Sequence, residues 1–83
     1  MTEFETNTAK LRAQMENGDI AKICDSVGCA TNTLVHAWNR KDAMELKPKE
    51  RKVYEAFVKH VSKKIADKER LNQRLAEATA QLP

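Results

Sequence analysis

The stretch "GDIAKICDSVGCATNTLVHAWN", residues 18–39, holds two short apolar runs at helical spacing with little but Gly28 between them. In the first run Ile20, Ile23, Cys24 and Val27 recur every three or four residues, the period of one helix face. Asp19 opens that run, where a carboxylate can cap the free N–H groups of a first turn. Gly28 closes it, where a left-handed residue ends a helix. The second run goes from Ala30 or Thr31 to Arg40. Leu34, Ala37 and Trp38 face inward, and Thr31, Asn32, Val35, His36 and Asn39 face outward. Helices joined this tightly form a corner. The corner needs a small residue where the second helix crosses the first, and Cys24 fills that place.

Upstream, Phe4, Leu11 and Met15 share a face with Thr8 between them, which predicts a helix from Phe4 to Asn17 that stops at "ENG", residues 16–18. Downstream, "RKDAMEL" reads as a loop. Pro48, whose fixed φ suits a first helical position, opens a fourth helix. Its stripe is Val53, Ala56, Phe57, His60, Val61 and Ile65, with His60 expected as a packed core histidine. No Gly or Pro interrupts residues 66–82, and Leu71, Leu75, Ala78 and Leu82 follow at spacings of four, three and four. This helix is therefore expected to run to about Gln81, a length of ~50 Å at 1.5 Å per residue. The expected architecture is all-α. A four-helix helix-turn-helix domain occupies residues 1–65, and a helical extension occupies residues 66–83. A projecting leucine seam needs a partner, so Leu71, Leu75, Ala78 and Leu82 are expected to join two copies of the chain as a homodimer.

The 83 residues suit one small domain with a modest core. No apolar run approaches the ~20 residues of a membrane span. The acidic, polar start "MTEFETNTAK" does not read as a signal peptide. A cytoplasmic location, in a bacterium or a phage-infected host, is expected. Cys24 and Cys29 are too few for a disulfide framework and are expected as small apolar residues in a reducing compartment. The net charge of +3 is unevenly spread: residues 1–35 hold three Lys/Arg and five Asp/Glu, and residues 36–83 hold twelve and seven. A one-sided basic half suits a polyanionic partner.

The run Ile20 to Asn39 resembles the helix-turn-helix of small bacterial and phage repressors in the lambda-repressor-like superfamily, and the headpiece of LacI-family regulators most of all. "DIAKICDSVGCA" stands where that family reads D-[IV]-A-x-x-[AC]-G-V-S, with one or two more residues before its glycine. "TLVHAWN", residues 33–39, matches T-V-x-x-[VA]-[LV]-N. "LKPKERKVYEAFVKHV", residues 46–61, is similar to the helix that follows. The likeness spans about residues 19–61. Ala30 replaces the family's capping Ser or Thr, the loop after Asn39 is longer, and these 83 residues hold no counterpart of the family's sugar-binding domain. Inducer binding is not implied.

The resemblance implies a double-stranded DNA partner, with the third helix in the major groove. Thr31, Asn32, Val35 and His36 are the expected base contacts. Asn can bond adenine through two hydrogen bonds, Thr and Val can meet a thymine methyl, and His can donate to guanine. Thr33, Asn39, Arg40, Lys41, Lys47, Lys49 and Lys52 are the expected phosphate contacts, which set register and much of the affinity.

Rival chemistries have less in the sequence. Cys24, Cys29, His36 and His60 make a nominal Cys₂His₂ set, but both cysteines fall where the corner wants packing, so no metal or cofactor is expected. No acid pair, nucleophile–base set or phosphate-cradling loop marks an enzyme. The serious alternative is a protein-interaction module or phage packaging adaptor that uses the long C-terminal helix.

Overall fold

A computed structural model describes residues 1–82; Pro83, the last residue of the expected extension, lies outside the described residues. Four α-helices follow in order: α1 (Glu3–Arg12), α2 (Asp19–Val27), α3 (Thr31–Trp38) and α4 (Pro48–Ala80), with a 3-10 turn at Ala43–Glu45. No strand occurs among the described residues. None of these helices is long and apolar enough to cross a membrane.

Thr2 caps α1 in a capping box: its hydroxyl accepts from the Glu5 N–H at 3.2 Å, and Glu5 Oε1 accepts from the Thr2 N–H at 3.0 Å. Both α1 and α2 stop or start differently from the sequence expectation. Helix α1 ends at Arg12 rather than Asn17, because the Gln14 and Met15 N–H groups reach back only three residues, to the carbonyls of Leu11 and Arg12. Asp19 is not the N-cap of α2. Gly18 is, at φ 91°, and Asp19 is the first helical residue. Its carboxylate points back to accept from the Glu16 N–H at 2.8 Å.

Gly28 takes the left-handed conformation at φ 75°, and its N–H donates to the Cys24 carbonyl. Only Ala30 and its two predecessors separate α2 from α3, and Ala30 caps α3 with no side-chain bond. Helix α3 ends at Trp38, two residues short of the expected Arg40. There the Asn39 N–H is shared between the Val35 and His36 carbonyls, and the Arg40 N–H reaches back only three residues, to Ala37.

Helix α4 is the spine. It packs against both α2 and α3. Ile23, Cys24, Leu34, Ala37, Trp38, Val53, Phe57 and Val61 form the buried core. Phe57 is fully buried between the edges of Trp38 and Tyr54, with ring centroids at 5.3 and 5.5 Å. Burying such a side chain stabilises by about 1.5–3 kcal/mol. Helix α1 closes the other side of α4: Phe4 stacks on Tyr54, and the Tyr54 hydroxyl meets the buried Thr8 hydroxyl at 2.7 Å.

Beyond Ile65 every described residue is exposed. Leu71 and Ala78 stand one and two heptads past Lys64; Leu75 and Leu82 stand two and three heptads past Val61. The leucine stripe therefore prolongs the inward face of α4 past the end of the body, where none of the described residues covers it. Leu71, Leu75 and Leu82 are 62–70% exposed.

Candidate nucleic-acid interface

Helix α3 offers its outward side in two rows. Thr31 and Val35 form one, Asn32 and His36 the other, each pair one turn apart on the helix surface. All four are exposed. The second row borders a cleft of about 520 Å³ between α3 and the start of α4, lined by Asn32, Thr33, His36, Lys47, Pro48, Lys49 and Glu50. A smaller depression of about 190 Å³ adjoins it at His36, Asn39 and Arg40. His36 thus stands on the ridge between the two.

Pro48 and Glu50 set the floor of the cleft. Pro48 at the first position of α4 leaves no N–H to satisfy there. Glu50, at the third, accepts from the Lys47 N–H at 3.0 Å. The Arg40 guanidinium then clasps the Glu50 carboxylate side-on, through Nε to Oε1 and Nη2 to Oε2, both at 3.0 Å. The arginine, with help from the Lys47 backbone, holds Glu50 down to about 2. Glu50 stays ionised and neutralises Arg40, so Lys47 and Lys49 are the cations that line the cleft.

This arrangement sorts the expected contacts. Asn32, Thr33, His36, Lys47 and Lys49 come together around one cleft. Thr31 and Val35 lie beside it on the same helix. Asn39 joins through the smaller depression. Arg40 spends two of its three nitrogens, Nε and Nη2, on Glu50. Lys41 is exposed, with its backbone N–H bonded to Glu45 and its carbonyl bonded to the Thr2 hydroxyl. Lys52 is exposed on α4 and does not line the cleft. Glu50 itself is missed by composition and periodicity. Its signal is the acidic residue at the third position of a helix opened by proline.

The comparisons identify no family. No family model, curated protein or solved structure matches the chain. The geometry therefore carries the functional reading alone.

A second polar cluster lies at the far side of α2. The buried Asp19 carboxylate takes Lys64 Nζ at 2.6 Å on Oδ2 and His60 Nε2 at 3.1 Å on Oδ1. Lys64 also reaches Glu16 at 3.2 Å. The lysine and the Glu16 N–H hold Asp19 well below its ordinary range. His60, expected in the core, is instead a half-buried partner of Asp19. The cluster pins the start of α2 to α4 and so fixes the angle at which the corner is presented. Among the described residues no three His, Cys, Asp or Glu side chains gather to hold a metal, and Cys24, Cys29, His36 and His60 form no such group.

Proposed function

We propose that the chain is a sequence-specific double-stranded DNA-binding regulator of repressor type, working in the cytoplasm of a bacterium or a phage-infected host. The cleft shared by Asn32, Thr33 and His36 of α3 with Lys47 and Lys49 of α4 is the observation that carries this reading. Groups suited to base edges stand beside groups suited to phosphates, with the cations at the start of a helix, where the backbone dipole also favours anions. Helix α3 enters the major groove with Thr31, Asn32, Val35 and His36 at the base edges. Thr33, Asn39, Arg40, Lys41, Lys47, Lys49 and Lys52 supply phosphate contacts.

The bare stripe of Leu71, Leu75, Ala78 and Leu82 supports a homodimer joined through the end of α4. Parallel pairing keeps both corners at one end of the dimer, facing two half-sites about 34–36 Å apart. The same stripe favours a second reading, in which a different protein docks on the tail and DNA is not bound.

Fluorescence anisotropy on a random-sequence duplex, at rising salt, separates the two. A DNA binder shows log affinity falling linearly with log salt, and Lys47→Ala/Lys49→Ala flattens the slope by about 2. Absent or salt-insensitive binding rejects the DNA reading.

A further inference from the structure

Both cysteines of the chain stand at the corner, and neither is used by the DNA reading. Cys24 lies in the last turn of α2 and is 3% exposed; Cys29 follows Gly28 and is half-buried. The left-handed Gly28 folds the chain back so that the Gly28 and Cys29 N–H groups both donate to the Cys24 carbonyl, at 2.8 and 3.1 Å. This fold-back brings the side chains of the two flanking residues together. Burial foremost, with Cys29 as a neighbour, pushes the Cys24 thiol up to about 11.

We propose that Cys24 and Cys29 form a dithiol–disulfide exchange site for small-molecule disulfides of the glutathione class, with Cys29 as the entry thiol and Cys24 as the resolving thiol. The assignment follows from access. Cys29 reaches solvent, so its thiolate attacks one sulfur of oxidised glutathione. A mixed disulfide forms, and one glutathione leaves as its thiolate. The Cys24 thiol then gives up its proton to water and attacks the Cys29 sulfur, expelling the second glutathione. In balance, the protein dithiol is oxidised by two electrons, one oxidised glutathione is reduced, and two glutathione thiols are released. Cys24 is 3% exposed and shielded from an external disulfide by the core, and its thiol donates to the Ala30 carbonyl at 3.9 Å, one residue past Cys29. The closed bond adds a covalent tie between the last turn of α2 and the lead-in of α3, where the two backbone hydrogen bonds to the Cys24 carbonyl and core packing hold the corner in the reduced form.

The test uses the full chain, incubated with oxidised glutathione and read by intact mass, with circular dichroism confirming helicity of every variant. Wild type is expected to lose two hydrogens and both maleimide-reactive thiols, reversibly with dithiothreitol. Cys24→Ala is expected to stop as a single glutathione adduct. Cys29→Ser is expected to react more than about tenfold more slowly, because its remaining thiol is buried. The wild-type mass decides even if a variant fails to fold. A wild type that remains reduced, ends as a stable glutathione adduct or links two chains overturns the proposal. So does a folded Cys29→Ser that matches the wild-type rate. None of these outcomes depends on whether the chain binds DNA.

Discussion

The Arg40 guanidinium lies side-on against the Glu50 carboxylate, two parallel hydrogen bonds of 3.0 Å joining the end of α3 to the start of α4. The pair closes the loop between the two helices that line the cleft. Glu50 is nearly buried and Arg40 is 31% exposed, so the pair is worth less than a fully buried one. Glu50→Gln is expected to cost about 1–2 kcal/mol at neutral pH in urea unfolding. A folded carboxyl at about 2, against an ordinary 4.5, contributes stability that is complete above pH 4.5 and disappears as pH falls toward 2. The wild-type advantage over Glu50→Gln is therefore expected to shrink across that window. A gap that stays constant through it contradicts the pairing.

Asp19 makes the same argument at the other end of the corner. Asp19→Ala leaves Lys64, His60 and the Glu16 N–H without their shared acceptor, and a loss of about 2–3 kcal/mol is expected. Because the folded carboxyl is depressed, its contribution is present above the ordinary carboxylate range and is lost on acidification. Amide exchange is the direct readout: protection falls first over residues 16–20 in the variant, and an unchanged pattern there refutes the clasp.

Gly28 tests the corner without touching the core. A Cβ at this position meets nothing within 4 Å, so substitution is penalised by backbone conformation alone. Gly28→Ala is expected to lose about 1–2 kcal/mol, and Gly28→Asn less, since asparagine tolerates the left-handed region. Thermal unfolding of the two variants gives the order, and an alanine variant as stable as wild type contradicts it.

The leucine stripe makes a separable claim. A chain ending after Lys68 keeps every core residue and the Lys64 contacts, so its helical domain is expected to unfold within about 0.5 kcal/mol of the full chain once both are monomeric. Sedimentation is expected to show the full chain as a dimer and the shortened chain as a monomer. A shortened chain that still dimerises places the interface elsewhere.

The corner and the spine are legible in the sequence because local rules govern them. Gly28 marks a left-handed stop, Pro48 a helix start, and the spacing of Val53, Phe57 and Val61 an inward face. The misreadings sit where distant groups override local preference. Asp19 looks like an N-cap until Lys64 and His60, more than forty residues away, draw its carboxylate toward α4. His60 looks like core because it follows the apolar period, yet its ring answers to Asp19. Helix α1 stops early because the chain after Arg12 bends to place the Glu16 N–H on that same carboxylate. Arg40 looks like a free phosphate contact until Glu50 takes two of its nitrogens. Asn32, His36, Lys47 and Lys49 are each plausible in the sequence, but that they share one cleft is visible only in three dimensions.

Within that cleft, base and phosphate contacts are expected to separate in their effects. Asn32→Ala and His36→Ala lose discrimination of about 1–3 kcal/mol at particular base positions, whereas Lys47→Ala weakens binding to all sequences alike. Competition binding with single-base variants of a selected site checks the difference. A uniform loss for Asn32→Ala and His36→Ala contradicts their assignment to base edges.

The most direct test of the central claim is a selection of bound duplexes from a random-sequence pool by the full chain, with Asn32→Ala/His36→Ala run in parallel. A DNA-reading α3 on a dimer yields an enriched pseudo-palindromic motif whose half-sites lie about one helical turn apart, and the double variant loses it. A wild-type pool that stays random after repeated rounds contradicts the account.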